Sequence, residues 1–434
     1  MLVAFVVFCL TCVITGYGFN YFLFESTVPL QVSLDVSRGT AIYEVSNEPG
    51  ANAALSGHTV VPNERVRLDA QSQSVLLFRD NYVPGRLIGM VTMRLGSVLN
   101  LGRAQRPRFE WSSLGYRIDL TDVDGEFDVY IPHGLDRNLD ITLQVNRPTG
   151  PVVIYLNGGG NYSVSATASE VSVFNRDGQR AVVTAPGVAN RLVPNGERAL
   201  VNFEADAAEV TSALVPVNFL QPANFQSTDI DQLTGPGDLL LSDLIWPWQC
   251  GNDGSQPQGR FEFALPDGRP ALRLVRGEGA TSNGRVTCSQ APGPSQTGRD
   301  VTMYSSMTFK MAFYIEGQSV MQCGIEGSEC PLTLTFDYIY HETLDDGTVR
   351  ERPEKWYHGF YVQPDPNRSL PVRCLSCQVD HDYVYPGTWY TYESPNLFSL
   401  FPENQRPVSL LRVGFYASGH EYDVYVGDMA LYAQ

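Results

Sequence analysis

Leu410-Leu411-Arg412-Val413-Gly414-Phe415-Tyr416-Ala417-Ser418-Gly419-His420-Glu421-Tyr422-Asp423-Val424-Tyr425-Val426-Gly427-Asp428-Met429-Ala430-Leu431 closes the part of the chain that is rich in both aromatic and cysteine residues. It reads as two short strands around a Ser418-Gly419-His420-Glu421 turn, a closing hairpin rather than an active-site fragment. Working outward from it, strand-like runs recur at 389–393, 359–362, 332–340, 307–314, 271–275 and 260–264. Short apolar runs with turn-rich spacers predict a β-sandwich, here over 244–434.

Six of the eight cysteines lie in this region: Cys250, Cys288, Cys323, Cys330, Cys374 and Cys377. An even count outside a membrane points to three disulfides in an oxidising compartment. Local pairing gives Cys250–Cys288, Cys323–Cys330 and Cys374–Cys377. Crossed pairs among the last four, or a zinc site built from them, are the alternatives; only Cys374 and Cys377 have knuckle spacing. A redox role for Cys374-Leu375-Ser376-Cys377 would need a helix N-terminus to lower a thiol pKa, and the surroundings read as a loop.

The aromatic residues cluster. Trp246 and Trp248 flank Pro247, Lys355-Trp356-Tyr357-His358 follows a charged turn, and Tyr383, Tyr385, Trp389 and Tyr390 surround Pro386-Gly387. Sugars lay apolar ring faces on aromatic rings while carboxylates, amides, guanidinium groups or imidazoles bond their hydroxyls. The candidate ligand-binding residues are therefore Trp356, Tyr357, His358, Asp382, Tyr385 and Trp389. Filling the core or covering the ends of the sandwich is the competing role for each aromatic residue.

Several stretches here resemble jelly-roll modules of the galactose-binding-like and carbohydrate-binding type. Arg269-Pro270-Ala271-Leu272-Arg273-Leu274 is similar to their opening strand. Trp389-Tyr390-Thr391-Tyr392 with Asn396-Leu397 is similar to a Trp-led central strand. Phe415 to His420 and Val426-Gly427-Asp428-Met429-Ala430-Leu431 are similar to their ending. The resemblance covers most of the domain and implies its fold; it assigns no ligand.

The first half alternates with period two: Val32, Leu34 and Val36; Val66 and Leu68; Phe127, Val129 and Ile131; Ile141, Leu143 and Val145. These predict short strands bounded by Gly, Pro, Asn and Asp turns, and an all-β class. Val61-Pro62-Asn63-Glu64-Arg65-Val66-Arg67-Leu68 is echoed by Val193-Pro194-Asn195-Gly196-Glu197-Arg198-Ala199-Leu200. Each follows a Gly-led strand, at Gly39 and Gly178. The echo suggests two related β modules, with chance similarity of Pro-Asn turns as the alternative. Asp124-Gly125 reads as a hairpin turn; the alternative is a structural calcium loop using Asp122, Asp124 and Asp128, which lacks full EF-hand spacing.

Arg38-Gly39-Thr40-Ala41-Ile42-Tyr43, Pro62 to Asp69, and Ser72-Gln73-Ser74-Val75-Leu76-Leu77-Phe78-Arg79-Asp80 together resemble a FecR-like β domain. The likeness spans about 28–101, with a weaker second copy near 151–201. The chain departs from the pattern at Asn63 and Asn81, where glycine is usual. The resemblance implies a β domain outside a membrane. Signal relay in that family needs a cytoplasmic segment, so the resemblance is expected to bear on fold and location more than on signalling.

Residues 2–24 carry no charged side chain. As a helix they would run roughly 35 Å, enough to cross a bilayer core. Gly16-Tyr17-Gly18 has the small-x-small form of a signal-peptide cleavage site, but the apolar run continues through Phe19, Tyr21, Phe22 and Phe24, which favours an uncleaved anchor. With no Lys or Arg close by, only the N-terminal amine acts on orientation. Cys9 and Cys12 lack the small residues that precede a lipidated cysteine.

All 47 acidic and 30 basic side chains follow Phe24, so the net charge of −17 belongs to the remainder. That surface repels nucleic acid and anionic headgroups. No Gly-x-Ser-x-Gly, His-Glu-x-x-His or phosphate-binding glycine loop is present, and no carboxylate pair stands out. The expected protein is not an enzyme and holds no cofactor, the calcium loop aside. It is a single-pass, membrane-anchored, extracytoplasmic binding protein: an anchor at 1–25, a FecR-like domain at 26–148, a smaller β module at 149–205, a linker at 206–243 and a jelly roll at 244–434. The jelly roll would take a glycan or an envelope component. The alternatives are a surface scaffold or assembly subunit meeting protein partners, and a FecR-like envelope sensor.

Overall fold

The computed structural model describes residues 2–45, 50–83, 85–148, 150–203, 209–213, 215–220, 248–294, 297–320, 323, 329–362 and 381–434. It divides into two compact units, Met1–Leu214 and Val215–Gln434. Behind one N-terminal helix, both are all-β. The α-helix Leu2–Asn20 continues as a π-helical turn, Tyr21–Glu25. The stretch Phe5–Glu25 is long and apolar enough to cross a membrane and is not buried in the protein; a signal sequence has the same properties.

In the first unit the helix passes directly into a strand, Thr27–Pro29, which pairs antiparallel with the end of Leu87–Pro107. The period-two pattern becomes a network of 17 hydrogen-bonded strands. Residue 148, the expected module boundary, falls between Leu139–Val145 and Val152–Asn157, which pair with each other. The strand Tyr116–Ile131 also pairs with Gly160–Ala166, so the ladder continues across that position.

The segments around Gly39 and Ser72 meet in space. The Thr40 N–H donates to Ser72 Oγ at 2.6 Å, and the Ser37 hydroxyl donates to the Gln73 carbonyl at 3.1 Å. Gly39 has φ of +69°, and a Cβ there would lie 2.1 Å from Ser72 Oγ, so glycine is required. The two echoing stretches make the same turn, with Glu64 N–H bonding Val61 O and Glu197 N–H bonding Pro194 O, each at 3.1 Å. Their ladders differ. Glu64–Leu68 pairs with the Gly-led strand Ala41–Val45, whereas Arg198–Asn202 pairs with Glu170–Asn175.

The hairpin expected at Asp124-Gly125 is not formed. Tyr116–Ile131 runs straight through it as one strand, paired with Leu87–Pro107 across several register shifts. Asp122 and Gly125 have φ of +51° and +102°. A Cβ on Gly125 would lie 2.7 Å from Ser97 Cα. The residues that signal a turn here serve bulges instead, where one backbone crowds another.

The second unit is a sandwich. Its first sheet runs in the order Arg260–Ala264, Ala271–Arg276, Tyr422–Ala433, Met307–Gln318, Trp389–Glu393. Its second runs Gln249–Asn252, Gly284–Gln290, Pro407–Gly419, Leu332–Thr343, Val349–Val362, Asp382–Val384. The inward residues of the two sheets interdigitate: Phe309 meets Phe336 at 5.6 Å and Phe313 meets Phe360 at 4.6 Å between ring centroids. Full burial of such a side chain is worth about 1.5–3 kcal/mol.

The closing stretch is likewise not a hairpin within one sheet. Pro407–Gly419 pairs in the second sheet and Tyr422–Ala433 in the first. The turn between them carries the chain across the sandwich. The Arg276 guanidinium, 2% exposed, fixes this arch by donating to the carbonyls of Gly419 and His420 at 2.8 and 2.9 Å.

The sandwich also begins earlier than residue 244. Val217–Asn218 pairs with Tyr422–Ala433, Asn218 Oδ1 accepts the Leu431 N–H at 3.0 Å, and Phe219 and Leu220 join the core. Glu209–Ser212 belongs to the first unit's ladder. The remainder of the expected linker lies outside the described residues. Cys250–Cys288 and Cys323–Cys330 are disulfides; Cys374 and Cys377 lie outside the described residues.

Candidate functional site

The six aromatic and polar candidates divide between different faces. Trp356 packs in the core against Phe336, with ring centroids 5.2 Å apart. His358, two residues on and on the same face, stacks between Trp356 at 5.8 Å and Tyr392 at 4.9 Å. Its Nε2 lies 3.3 Å from Asp382 Oδ2. Tyr357 alternates to the opposite face of the second sheet and is half-buried. Tyr385 lies in the turn before Trp389–Glu393, where its carbonyl accepts the Thr388 hydroxyl at 3.3 Å. Burial, with a smaller effect of Tyr383, raises its phenol pKa. Trp389 lies on the outer face of the first sheet. The structure thus joins Trp356, His358 and Asp382 at one edge of the sandwich and separates them from Trp389.

That outer face carries a row that crosses all five strands. Glu262 is opposite Arg273, Arg273 opposite Tyr425, Tyr425 opposite Tyr314, and Tyr314 opposite Trp389. The period of two places these side chains outward because their neighbours Phe261, Leu272, Leu274, Val424, Val426, Phe313, Ile315 and Tyr390 pack inward. Tyr314 meets Tyr425 edge-to-face at 5.5 Å and Trp389 at 5.9 Å. Both tyrosines are half-buried.

Charge frames the row. The Arg273 guanidinium donates to both Asp423 oxygens at 2.8 and 2.6 Å and to Glu262 Oε1 at 2.7 Å, and it lies 5.5 Å over the Tyr425 ring. The hydrogen bonds to Asp423 push its pKa upward. Burial, then the Asp423 carboxylate, raise the Tyr425 phenol to about 12. Burial, then a hydrogen bond to Glu316, raise Tyr314 further. At the other end the Arg269 guanidinium lies 4.6 Å over Trp389 and pairs with Asp428. Trp389 is 2% exposed, and its indole N–H has no hydrogen-bond partner. Trp248 and Trp356 also have unpaired indole nitrogens, but they belong to the core cluster and Trp389 does not.

Among the described residues, one set of three or more His, Cys, Asp or Glu side chains converges closely enough for a metal: Cys323, Cys330 and His381, with ligand atoms within 4.8 Å of one another. Gly359 lies flat beneath them, where a Cβ would be 2.4 Å from Cys323 Sγ. With its sulfurs bonded to each other, the pair offers no thiolate. The calcium candidates are dispersed. Asp122 accepts from Asn146, Asp124 lies 3.5 Å from Arg147, and Asp128 accepts the Ser163 hydroxyl at 2.6 Å and lies 3.3 Å from Arg94.

Sequence reasoning missed Glu262, Arg273, Tyr314 and Tyr425. Alternation does put Tyr314 out of phase with Phe313 and Ile315, and Tyr425 out of phase with Val424 and Val426. Nothing local says that these strands are neighbours.

No protein-family model and no curated protein matches the chain. Among solved structures it is similar to a putative anti-sigma factor from Parabacteroides distasonis, at 14% identity over 34% of this chain, with a TM-score of 0.24. The chain spans 58% of that protein's length. It is also similar to the family 11 carbohydrate-binding module from Clostridium thermocellum, solved with a β-1,3-1,4-mixed-linked tetrasaccharide, at 9% identity over 43% of this chain and 89% of that one, with a TM-score of 0.21. A family 30 carbohydrate-binding module of a cellulosomal cellulase of Clostridium thermocellum is similar at 10% identity over 43% and 90% of the two chains, with a TM-score of 0.23.

Proposed function

We propose that the protein is a membrane-tethered, extracytoplasmic glycan-binding protein whose second unit takes the sugar on the outer face of its first sheet. The row Glu262–Arg273–Tyr425–Tyr314–Trp389 is the observation that carries this reading. Two half-buried tyrosines supply ring faces, and polar groups flank them within one strand spacing. That combination binds sugars: aromatic faces take the apolar ring surface, and fixed polar groups orient the hydroxyls. The carboxylates Glu262, Asp423, Glu316 and Asp428 outnumber the guanidinium groups Arg273 and Arg269 on this face, so the ligand is a neutral glycan; sulfated or uronic polymers would be repelled. The disulfides fit an oxidising compartment, and the apolar helix supplies the tether.

The test is a glycan array probed with the detergent-solubilised full chain. Binding should be confined to neutral glycans. Tyr314→Ala and Tyr425→Ala should each weaken it about tenfold, and the corresponding Phe variants much less. Capture of no glycan sinks the reading. Capture that survives the double alanine variant moves the site elsewhere.

A further inference from the structure

The end of the apolar helix is surrounded by aromatic side chains that lie far from it in sequence. The loop after Leu87–Pro107 turns back onto the helix: the Arg108 N–H donates to the Ser26 carbonyl at 2.9 Å, and the Ser112 hydroxyl donates to the Phe24 carbonyl. Phe109 meets Phe22 edge-on at 5.4 Å, and Trp111 stacks on Phe109 at 4.7 Å and 10°. Phe22, Phe109 and Trp111 thus form a continuous run of ring contacts from helix to loop. The loop is held from behind, because the Arg137 guanidinium donates to the carbonyls of Glu110, Ser112 and Leu114. Even so, Trp111 is 61% exposed and Leu114 36%. Tyr82, 66% exposed, lies at the same end: it packs on Arg106, which is opposite Val28, and the Asn81 amide donates to the Pro29 carbonyl at 3.2 Å.

A large aromatic side chain fixed in place and left in solvent has a cost that a lipid surface removes. Indole and phenol rings favour the membrane–water interface, where the ring meets acyl chains and the polar edge meets headgroups. The Arg108 guanidinium, 5.4 Å over the Phe22 ring, is placed to reach headgroups from the helix end. We propose that Phe109, Trp111, Leu114 and Tyr82 form an interfacial collar that seats the first β unit on the outer surface of the bilayer. The proposal rests on the helix being a membrane span, since only then is the collar level with the interface. Because Thr27–Pro29 enters the sheet directly after the helix, the seat is rigid. Glu25 and Glu110 accompany Arg108 at this end, so the collar acts by aromatic insertion and needs no anionic lipid.

The full chain is reconstituted into phosphatidylcholine vesicles, and tryptophan emission is measured with nitroxide-labelled lipids carrying the quencher near the headgroups or deep in the acyl region. Flotation of the vesicles after alkaline carbonate washing reports separately whether the helix spans. The expected result is a chain that floats and is quenched most by the shallow label, with Trp111→Phe removing the larger share of that quenching. This exposed substitution keeps the ring stack, so loss of folding does not confound it. A floating chain whose quenching is unchanged by Trp111→Phe overturns the collar and leaves the span intact. A chain washed off the vesicles overturns both.

Discussion

Asn63 holds φ at +66° in the third position of a turn whose echo places Gly196, at +77°, in the same position. Asparagine tolerates this left-handed backbone and β-branched residues do not. The departure from the FecR-like pattern at residue 63 is thus a substitution by the other residue the turn admits. Asn63→Gly should change stability by less than about 0.5 kcal/mol and Asn63→Val should cost about 1–2 kcal/mol in urea unfolding. Arg276 is the second decisive residue. Its guanidinium donates to the carbonyls of Gln256, Pro257, Ser282, Gly419 and His420, at 3.1, 2.9, 2.6, 2.8 and 2.9 Å. Arg276→Met would leave these oxygens without their donor, and it should destabilise the second unit by at least about 3 kcal/mol. An unchanged urea midpoint would mean that the arch holds without it. The identity of Arg276 was plain in the sequence, but its role was not, because its partners lie up to 144 positions away.

Among elements, the long strands Leu87–Pro107 and Tyr116–Ile131 show how turn chemistry misleads. Asp-Gly between alternating runs serves equally for a hairpin and for a bulge, and the difference lies in whether a partner strand continues alongside. Here it does, at Met90–Arg94 on one side of the bulges and at Leu101–Gln105 on the other. The disulfides allow a graded test. Cys250–Cys288 joins facing residues of adjacent strands and closes 38 residues, whereas Cys323–Cys330 closes 7. By loop entropy, Cys250→Ser with Cys288→Ser should cost about 4 kcal/mol and Cys323→Ser with Cys330→Ser about 2.5 kcal/mol. The reverse order would point to strain or residual structure rather than loop length.

At the scale of the whole molecule, burial of phenols sets the alkaline limit. Burial raises Tyr162 in the first unit, and Tyr338 and Tyr425 in the second, to about 12. A raised tyrosine pKa favours the neutral phenol in the folded state. The stability it contributes is complete below the unfolded value of 10.0 and is lost as pH rises towards 12. Spectrophotometric titration should therefore show a fraction of the 22 tyrosines ionising near pH 10 and the remainder only with unfolding. A single reversible step near pH 10 would contradict this burial. Spacings of a few residues are enough to read the apolar helix, the all-β class and the alternation of most strands from the chain alone. Long-range pairing places 407–419 and 422–433 in different sheets, turns Trp356 and His358 to the core, and sets Tyr314, Tyr425 and Trp389 in one row. It alone brought Trp111 to the helix end. Strand pairing joins residues more than a hundred positions apart through backbone groups that every residue carries. Alternation fixes which face a side chain takes, and it leaves open which neighbour stands beside it.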